Sequence, residues 1–295
     1  MREGGRSFFS LLILVYLCVM QKVWLITGVS VGIGRALAQV VAKKGDIVYG
    51  TLRKPEQIAE FEALVPGKTH AVLMDVNNHE AAVSGVQQIL NTHGNIDVLV
   101  NNAGFGFFGA IEEVDMEEID MQMQTNFIAP LRLCQLVLPA MRNQGSGYIM
   151  QVSSVAGFRG TEGLGIYNAS KFALEGFSQA LAKEVAPFGI HLTMVEPGPF
   201  RTEWGGRSSI RSKKVMHEYD HTAGARIRTI HTYSGTQAGD PFKAAELLFD
   251  LSRNENPPLH LPLGQMAVDG FREKMSQIEA DIQAWEARST RTQFD

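Results

Sequence analysis

Tyr167 and Lys171 stand four residues apart in the segment Tyr167-Asn168-Ala169-Ser170-Lys171. On a helix that spacing puts both on one face. A free phenol titrates near about 10 and moves protons poorly at neutral pH. A neighbouring ammonium favours the phenolate and lowers that value. The pair then becomes a usable proton donor and acceptor. Alone, the pattern is common on exposed helices. Ser154 adds to it, thirteen residues earlier and at the end of an apolar run. Its hydroxyl could hold a substrate oxygen, although a serine there more often caps a turn. The third feature is Thr27-Gly28-Val29-Ser30-Val31-Gly32-Ile33-Gly34. Glycines let a backbone turn sharply and come close to a phosphate. A helix that follows offers free N–H groups and the positive end of its dipole. A place between a strand and a helix points to dinucleotide binding rather than to a plain tight turn.

Those side chains need a frame. Apolar runs at 23–27, 47–52, 70–74, 97–101, 148–153 and 190–195 read as strands. Helical spacing fills 33–43, 55–64, 80–92, 116–142 and 166–185. Strands that alternate with helices of ten or more residues imply parallel βαβ units. Strands with little polar alternation are buried on both sides. The expected fold is α/β, a Rossmann-type doubly wound parallel sheet of about seven strands with helices on both faces. One domain would span 20–295. Within it, 201–239 is polar and reads as a substrate lid. A helix at 241–251 and a short strand at 259–263 follow. The tail, about 267–288, places Val268, Phe271, Met275, Ile278, Ile282 and Trp285 on one helical stripe. That stripe is expected to pack on its own domain or on a sister subunit.

Together these motifs resemble the short-chain dehydrogenase/reductase family in its shorter, non-extended branch. The resemblance runs from about Lys22 to about Thr202 and keeps the family's motif order. It carries the glycine motif onto Thr27 to Gly34, with Thr27, Gly28, Ser30, Gly32, Ile33 and Gly34 toward the cofactor. It carries N-N-A-G onto Asn101, Asn102, Ala103 and Gly104, and P-G-x-x-x-T onto Pro197, Gly198 and Thr202. The catalytic set falls on Asn126, Ser154, Tyr167 and Lys171, and the adenine contact on Asp75. The resemblance implies that Tyr167 exchanges a proton with the substrate oxygen and Ser154 orients the carbonyl. Lys171 would hold the nicotinamide ribose and tune Tyr167. Asn126 would hold a water in a proton relay with Lys171. Pro197, Gly198 and Thr202 would flank the nicotinamide, and Asn101 would tie strands together.

Cofactor choice rests on the end of the second strand. NAD enzymes place an acid there for the ribose 2′-OH. Here Leu52 stands in that place and Arg53 follows. A guanidinium pairs well with a 2′-phosphate, so NADP(H) is preferred over NAD(H). The expected activity is NADP(H)-dependent interconversion of a carbonyl and a secondary alcohol. The alternative is a non-catalytic NADP(H) sensor or scaffold on the same fold. Phe105, Phe107, Phe108, Phe158, Phe200 and Trp204 lie near strand-end loops, which suits an apolar substrate. By the family resemblance, a homodimer or homotetramer would form through the helices at 116–142 and 166–185.

Composition narrows the rest. Hydrophobic residues make up 45% and charged residues 20%, so a packed core is expected. A net charge of -4 gives no footprint for nucleic acid. Two cysteines, Cys18 and Cys134, form no C-x-x-C pair, and the eight histidines show no H-E-x-x-H pattern. No metal site is expected, and a reduced, cytoplasmic setting fits. The thirteen mostly apolar residues from Phe8 to Met20 follow Arg2 and Arg6. They are short of the roughly 20 that span a bilayer, and no A-x-A-like cleavage site follows. Residues 1–19 are therefore expected to be a gene-start error, with translation beginning at Met20, rather than a signal or membrane anchor. Mass spectrometry of the native protein checks this: no peptide from 7–19 should be found, and finding one restores the anchor.

Overall fold

Apolar runs of strand length pair in parallel across helical crossovers. A computed structural model describes residues 21–206 and 208–294. The N-terminal extension at 1–19 and Cys18 lie outside the described residues. The strands are β1 (Val23–Ile26), β2 (Ile47–Leu52), β3 (Thr69–Leu73), β4 (Val98–Asn101), β5 (Gly106–Phe108), β6 (Gly147–Val152), β7 (Ile190–Pro197), β8 (Ser209–Arg211) and β9 (His260–Leu263). Seven of them form one sheet in the order β3-β2-β1-β4-β6-β7-β9, every pair parallel. The α/β, Rossmann-type doubly wound sheet expected from the sequence is the fold observed.

The helices are α1 (Gly32–Lys43), α2 (Ile58–Glu62), α3 (His79–His93), α4 (Met116–Met123), α5 (Ala129–Gln144), α6 (Gly165–Val185), α7 (Ala223–Thr232), α8 (Pro241–Leu251) and α9 (Gln265–Ser289). Alternate strand residues feed opposite layers. Trp24 and Ile26 pack with α1 and α8, while Val23 and Leu25 pack with α3, α5 and α6. Local chemistry sets the helix ends. Asn78 accepts from Ala81 N at 3.1 Å to start α3, and Gly94 closes it with φ 78°. Asp115 and Glu118 form a capping box on α4. Asp240 caps α8 ahead of Pro241.

Three expectations need correction. The helix expected at 116–142 is two, α4 and α5, joined by a π-helical turn at Gln124–Ile128. Pro130 follows, and its missing N–H removes one regular bond. The wider turn swings Asn126 fully inside. The stretch at 55–64 is a 3₁₀ turn over Pro55–Gln57 and the short α2. The segment 201–239 carries β8 and α7 rather than plain loop. There, β8 lies parallel to β5, which the sequence reading missed, with Phe108 opposite Arg211. At the chain end, Val268 is half-buried and Phe271 buried on the domain. The remaining stripe residues are exposed, so packing on the same domain accounts for only the first two.

The helix that bears Tyr167 and Lys171 is pinned from below by buried polar groups. Glu196 of β7 is fully buried and lies 2.6 Å from His260 Nδ1 of β9. Glu175 of α6, one turn beyond Lys171, approaches the same ring at 3.8 Å. The potential ligand atoms of Glu175, Glu196 and His260 lie within 4.8 Å of one another. The direct carboxyl–imidazole contact reads as a proton-sharing network. Burial pushes the Glu175 carboxyl up to about 7 and that of Glu196 up to about 8. The folded chain thus keeps protons that the unfolded chain releases above about 4.5. Their stabilisation is complete below that value and is lost as pH rises through 7 to 8. The midpoint Tm of thermal unfolding should fall from about pH 5 to about pH 9 in the native chain. In Glu196→Gln, which needs no proton, the fall should be flatter. In a chain of this size about 1 kcal/mol moves Tm by roughly 2–4 °C. Parallel Tm–pH curves for the two proteins would contradict the network.

Candidate active site

All the sequence-marked loops leave the carboxyl ends of parallel strands, where ligands bind in open α/β sheets. Thr27 follows β1 and is buried. Its hydroxyl accepts N–H bonds from Asn102 and Ala103, each at 2.9 Å. The Asn102 amide donates back to the Thr27 carbonyl at 2.8 Å and the Gly28 carbonyl at 3.0 Å. This clasp joins the loops after β1 and β4. It also makes glycine obligatory. Gly28 has φ +71°, and a Cβ there would sit 2.9 Å from Ala103 Cα. A Cβ on Gly34 would lie 2.3 Å from Asn102 Nδ2.

The N-terminus of α1 is bare. Val31 at its cap offers no side-chain bond, and no acid lies in the first turn. Its free N–H groups and positive dipole end fit an anionic group. A dinucleotide therefore fits the turn. Ser30 and Ile33 are half-buried there, and a Cβ on Gly32 would come within 3.4 Å of Thr202. Arg53 and Asp75 are exposed just past β2 and β3. Asp75 accepts from Asn77 N at 2.9 Å.

Helix α6 brings the expected catalytic residues to the ends of β6 and β7. Tyr167 and Lys171 are each 5% exposed. The Lys171 ammonium donates to the Val152 carbonyl at 2.8 Å and lies 5.9 Å from the centre of the Tyr167 ring. Burial lowers its pKa to about 8, and Glu175 draws it part of the way back. Burial pushes the Tyr167 phenol up to about 12, against hydrogen bonds with Ser154 and Trp204 that lower it. In the chain alone, burial sets the direction at this phenol. The ammonium is spent on Val152, and desolvation outweighs it. Tyr167 rests as a neutral phenol, the form that donates a proton.

Ser154 does cap a turn, accepting from Ala156 N at 3.1 Å, and its hydroxyl is 3.4 Å from the Pro197 carbonyl. Gly198 follows Pro197, half-buried. Asn126 exchanges two bonds with the Phe105 backbone, at 3.2 and 3.1 Å. It also reaches Ser170 Oγ at 3.2 Å. A Cβ on Gly104 would lie 3.1 Å from Asn126 Oδ1 and 3.8 Å from Lys171 Nζ, so the two face one another across that glycine. Asn101 donates to Gln151 Oε1 at 3.0 Å, tying β4 to β6 as its implied role requires.

The 201–239 segment roofs this edge. Trp204 lies over Tyr167, ring centres 5.2 Å apart, and meets the edge of Phe108 at 5.5 Å. Leu164 and Ile227 join Phe108 and Tyr167 in one buried cluster, with Ile230 against it. Of the other aromatics, Phe158 stacks on Phe271 at 4.3 Å and Phe200 packs into the core. The sequence reading missed Leu164, Ile227, Glu175 and Glu196. Only Glu175 left a signal, standing four residues after Lys171 on the same helical face.

Comparisons with known proteins agree with this geometry. A family model described as short chain dehydrogenase matches residues 22–212. An oxidoreductase of Botryotinia fuckeliana, BOA17, is 36% identical over 267 residues, covering 90% of this chain and 97% of that one. A 3-ketodihydrosphingosine reductase of Bacteroides thetaiotaomicron is 35% identical with the same coverage. The crystal structure of a short-chain dehydrogenase from Streptomyces avermitilis superimposes with TM-score 0.87 at 38% identity, covering 93% of this chain and all of that one. The chain belongs to the short-chain dehydrogenase/reductase family of oxidoreductases.

Proposed function

We propose that this oxidoreductase reduces an apolar ketone or aldehyde with NADPH, Tyr167 serving as the general acid. The observation that carries this is the buried neutral phenol of Tyr167, with Ser154 and Lys171 beside it and an apolar roof over it. The Bacteroides relative is named for reduction of a keto compound, which favours the carbonyl direction.

In this reading Thr27, Gly28, Ser30, Gly32, Ile33 and Gly34 hold the pyrophosphate, Arg53 the 2′-phosphate and Asp75 the adenine. Asn102, Ala103, Gly104, Pro197, Gly198 and Thr202 flank the nicotinamide, and Tyr167 and Lys171 meet its ribose. When bound, the cofactor supplies the hydride. Ser154 orients the carbonyl oxygen, and the Tyr167 hydroxyl gives that oxygen its proton. Proton transfer from a positioned side chain contributes typically about 10²–10⁴-fold. Lys171 keeps positive charge near the phenol, which favours departure of the proton. Asn126, bonded to the Phe105 backbone, would hold a water in a proton relay with Lys171. Residues 201–239 exclude water from the phenol. We read the chain as one domain over 20–295, a homo-oligomer of the cytoplasm.

NADPH oxidation against a panel of ketones and aldehydes tests the chemistry. Tyr167→Phe should lower kcat by about 10²–10⁴-fold and leave NADPH affinity nearly unchanged. Turnover retained in that variant sinks the assignment, and tight NADPH binding without turnover on any carbonyl supports the sensor. Arg53→Ala tests the cofactor. A charge-assisted bond of about 1.5–3 kcal/mol predicts NADPH affinity weakened roughly 10- to 100-fold. NADH affinity should not change, and equal NADPH and NADH binding before and after the substitution would remove the preference.

A further inference from the structure

Helix α9 has a root and an arm. At the root, Phe271 is 8% exposed and stacks on Phe158, while Arg159 reaches Glu273 Oε2 at 2.6 Å. Beyond that, every described residue from Met275 to Phe294 is exposed. Met275, Ile278, Ile282 and Trp285 are 53%, 41%, 50% and 59% exposed. An isolated helix of this length is marginal in water.

Spacing identifies what the arm is made for. Positions 268, 271, 275, 278, 282 and 285 alternate steps of three and four without a break. That is the seven-residue repeat of a coiled-coil seam, sustained over about 26 Å of helix. The positions flanking the seam are Arg272 and Lys274 near the root, then Glu279 and Asp281 seven residues on. Arg272, Lys274 and Asp281 have no ion-pair partner among the described residues.

An antiparallel copy that sets Met275 against the second copy's Ile278 brings Arg272 to Glu279 and Lys274 to Asp281. By symmetry each contact occurs twice, and none of these pairs is of like charge. A parallel pair would set Lys274 against Glu279 but Asp281 against Glu286, leaving two like-charge contacts. A lipid-surface helix needs a basic polar face, whereas from Arg272 to Arg288 the acids outnumber the bases. We propose that α9 is a dimerisation arm that pairs antiparallel with α9 of a second copy of this chain.

Light scattering after size exclusion, with sedimentation for the dissociation constant, tests the arm in the full chain. Ile278→Asp with Ile282→Asp should halve the assembly mass and weaken association by roughly 100-fold or more. Both side chains are exposed in the single chain, so the domain's thermal unfolding serves as the folding control. Arg272→Glu with Lys274→Glu should also dissociate the pair. Adding Glu279→Arg and Asp281→Arg to that variant should restore it. An unchanged mass in the aspartate variant, a native chain that is monomeric, or no rescue by the four-fold charge exchange would each overturn the proposal. NADPH binding, measured alongside, should not follow the mass.

Discussion

An ammonium held out of water by one carbonyl organises the catalytic edge. Lys171 is buried, and its charge is met by the Val152 carbonyl at the end of β6. Taking an ammonium from water is costly unless it is paired and hydrogen-bonded. Neighbouring elements answer that cost. Glu175 lies one turn along α6 and counters the drop in the lysine's pKa. Burial and the neighbouring Glu196 push the Glu175 carboxyl up, and Glu196 meets His260 at 2.6 Å. The chain of contacts fixes α6 against β7 and β9, and so fixes where Tyr167 can sit.

The same edge is closed from above by side chains brought from far along the chain. β8 pairs with β5, and Trp204 and Ile227 from the segment around it pack near the phenol, beside Leu164. Their burial removes water from Tyr167 and keeps it protonated. The roof thus acts on the phenol through solvation rather than through a charged group. The glycine turn works the opposite way. It leaves the start of α1 without a side-chain cap or an acid in its first turn, so that edge stays polar. One strand-end surface therefore has an apolar half and a polar half.

Much of the frame was legible because its signals are local. Apolar runs of strand length and helical spacing gave the alternation that demands a parallel sheet, and Asn78, Asp115 and Gly94 end helices with short-range bonds. The π-turn at Gln124–Ile128 was not legible. Its period breaks within a helix by one residue, and the gain comes from Asn126 bonding the distant Phe105 backbone. β5 and β8 were missed for a related reason. Each has only three residues, and neither makes sense without the other.

The sequence by itself determined which groups could do chemistry and at what spacing. Tyr167 and Lys171 share a face because a helix repeats every 3.6 residues. The glycines at 28, 32 and 34 mark a sharp turn between a strand and a helix. It also set the seven-residue seam of the tail. Only the tertiary structure decided the protonation states. Burial is a property of everything packed around a group, and it pushes the Tyr167 phenol up. It likewise decided that the seam leaves its own domain after Phe271, because no element among the described residues lies beneath the rest. Local bonds and sterics are written along the chain, whereas desolvation is written only by what folds over it.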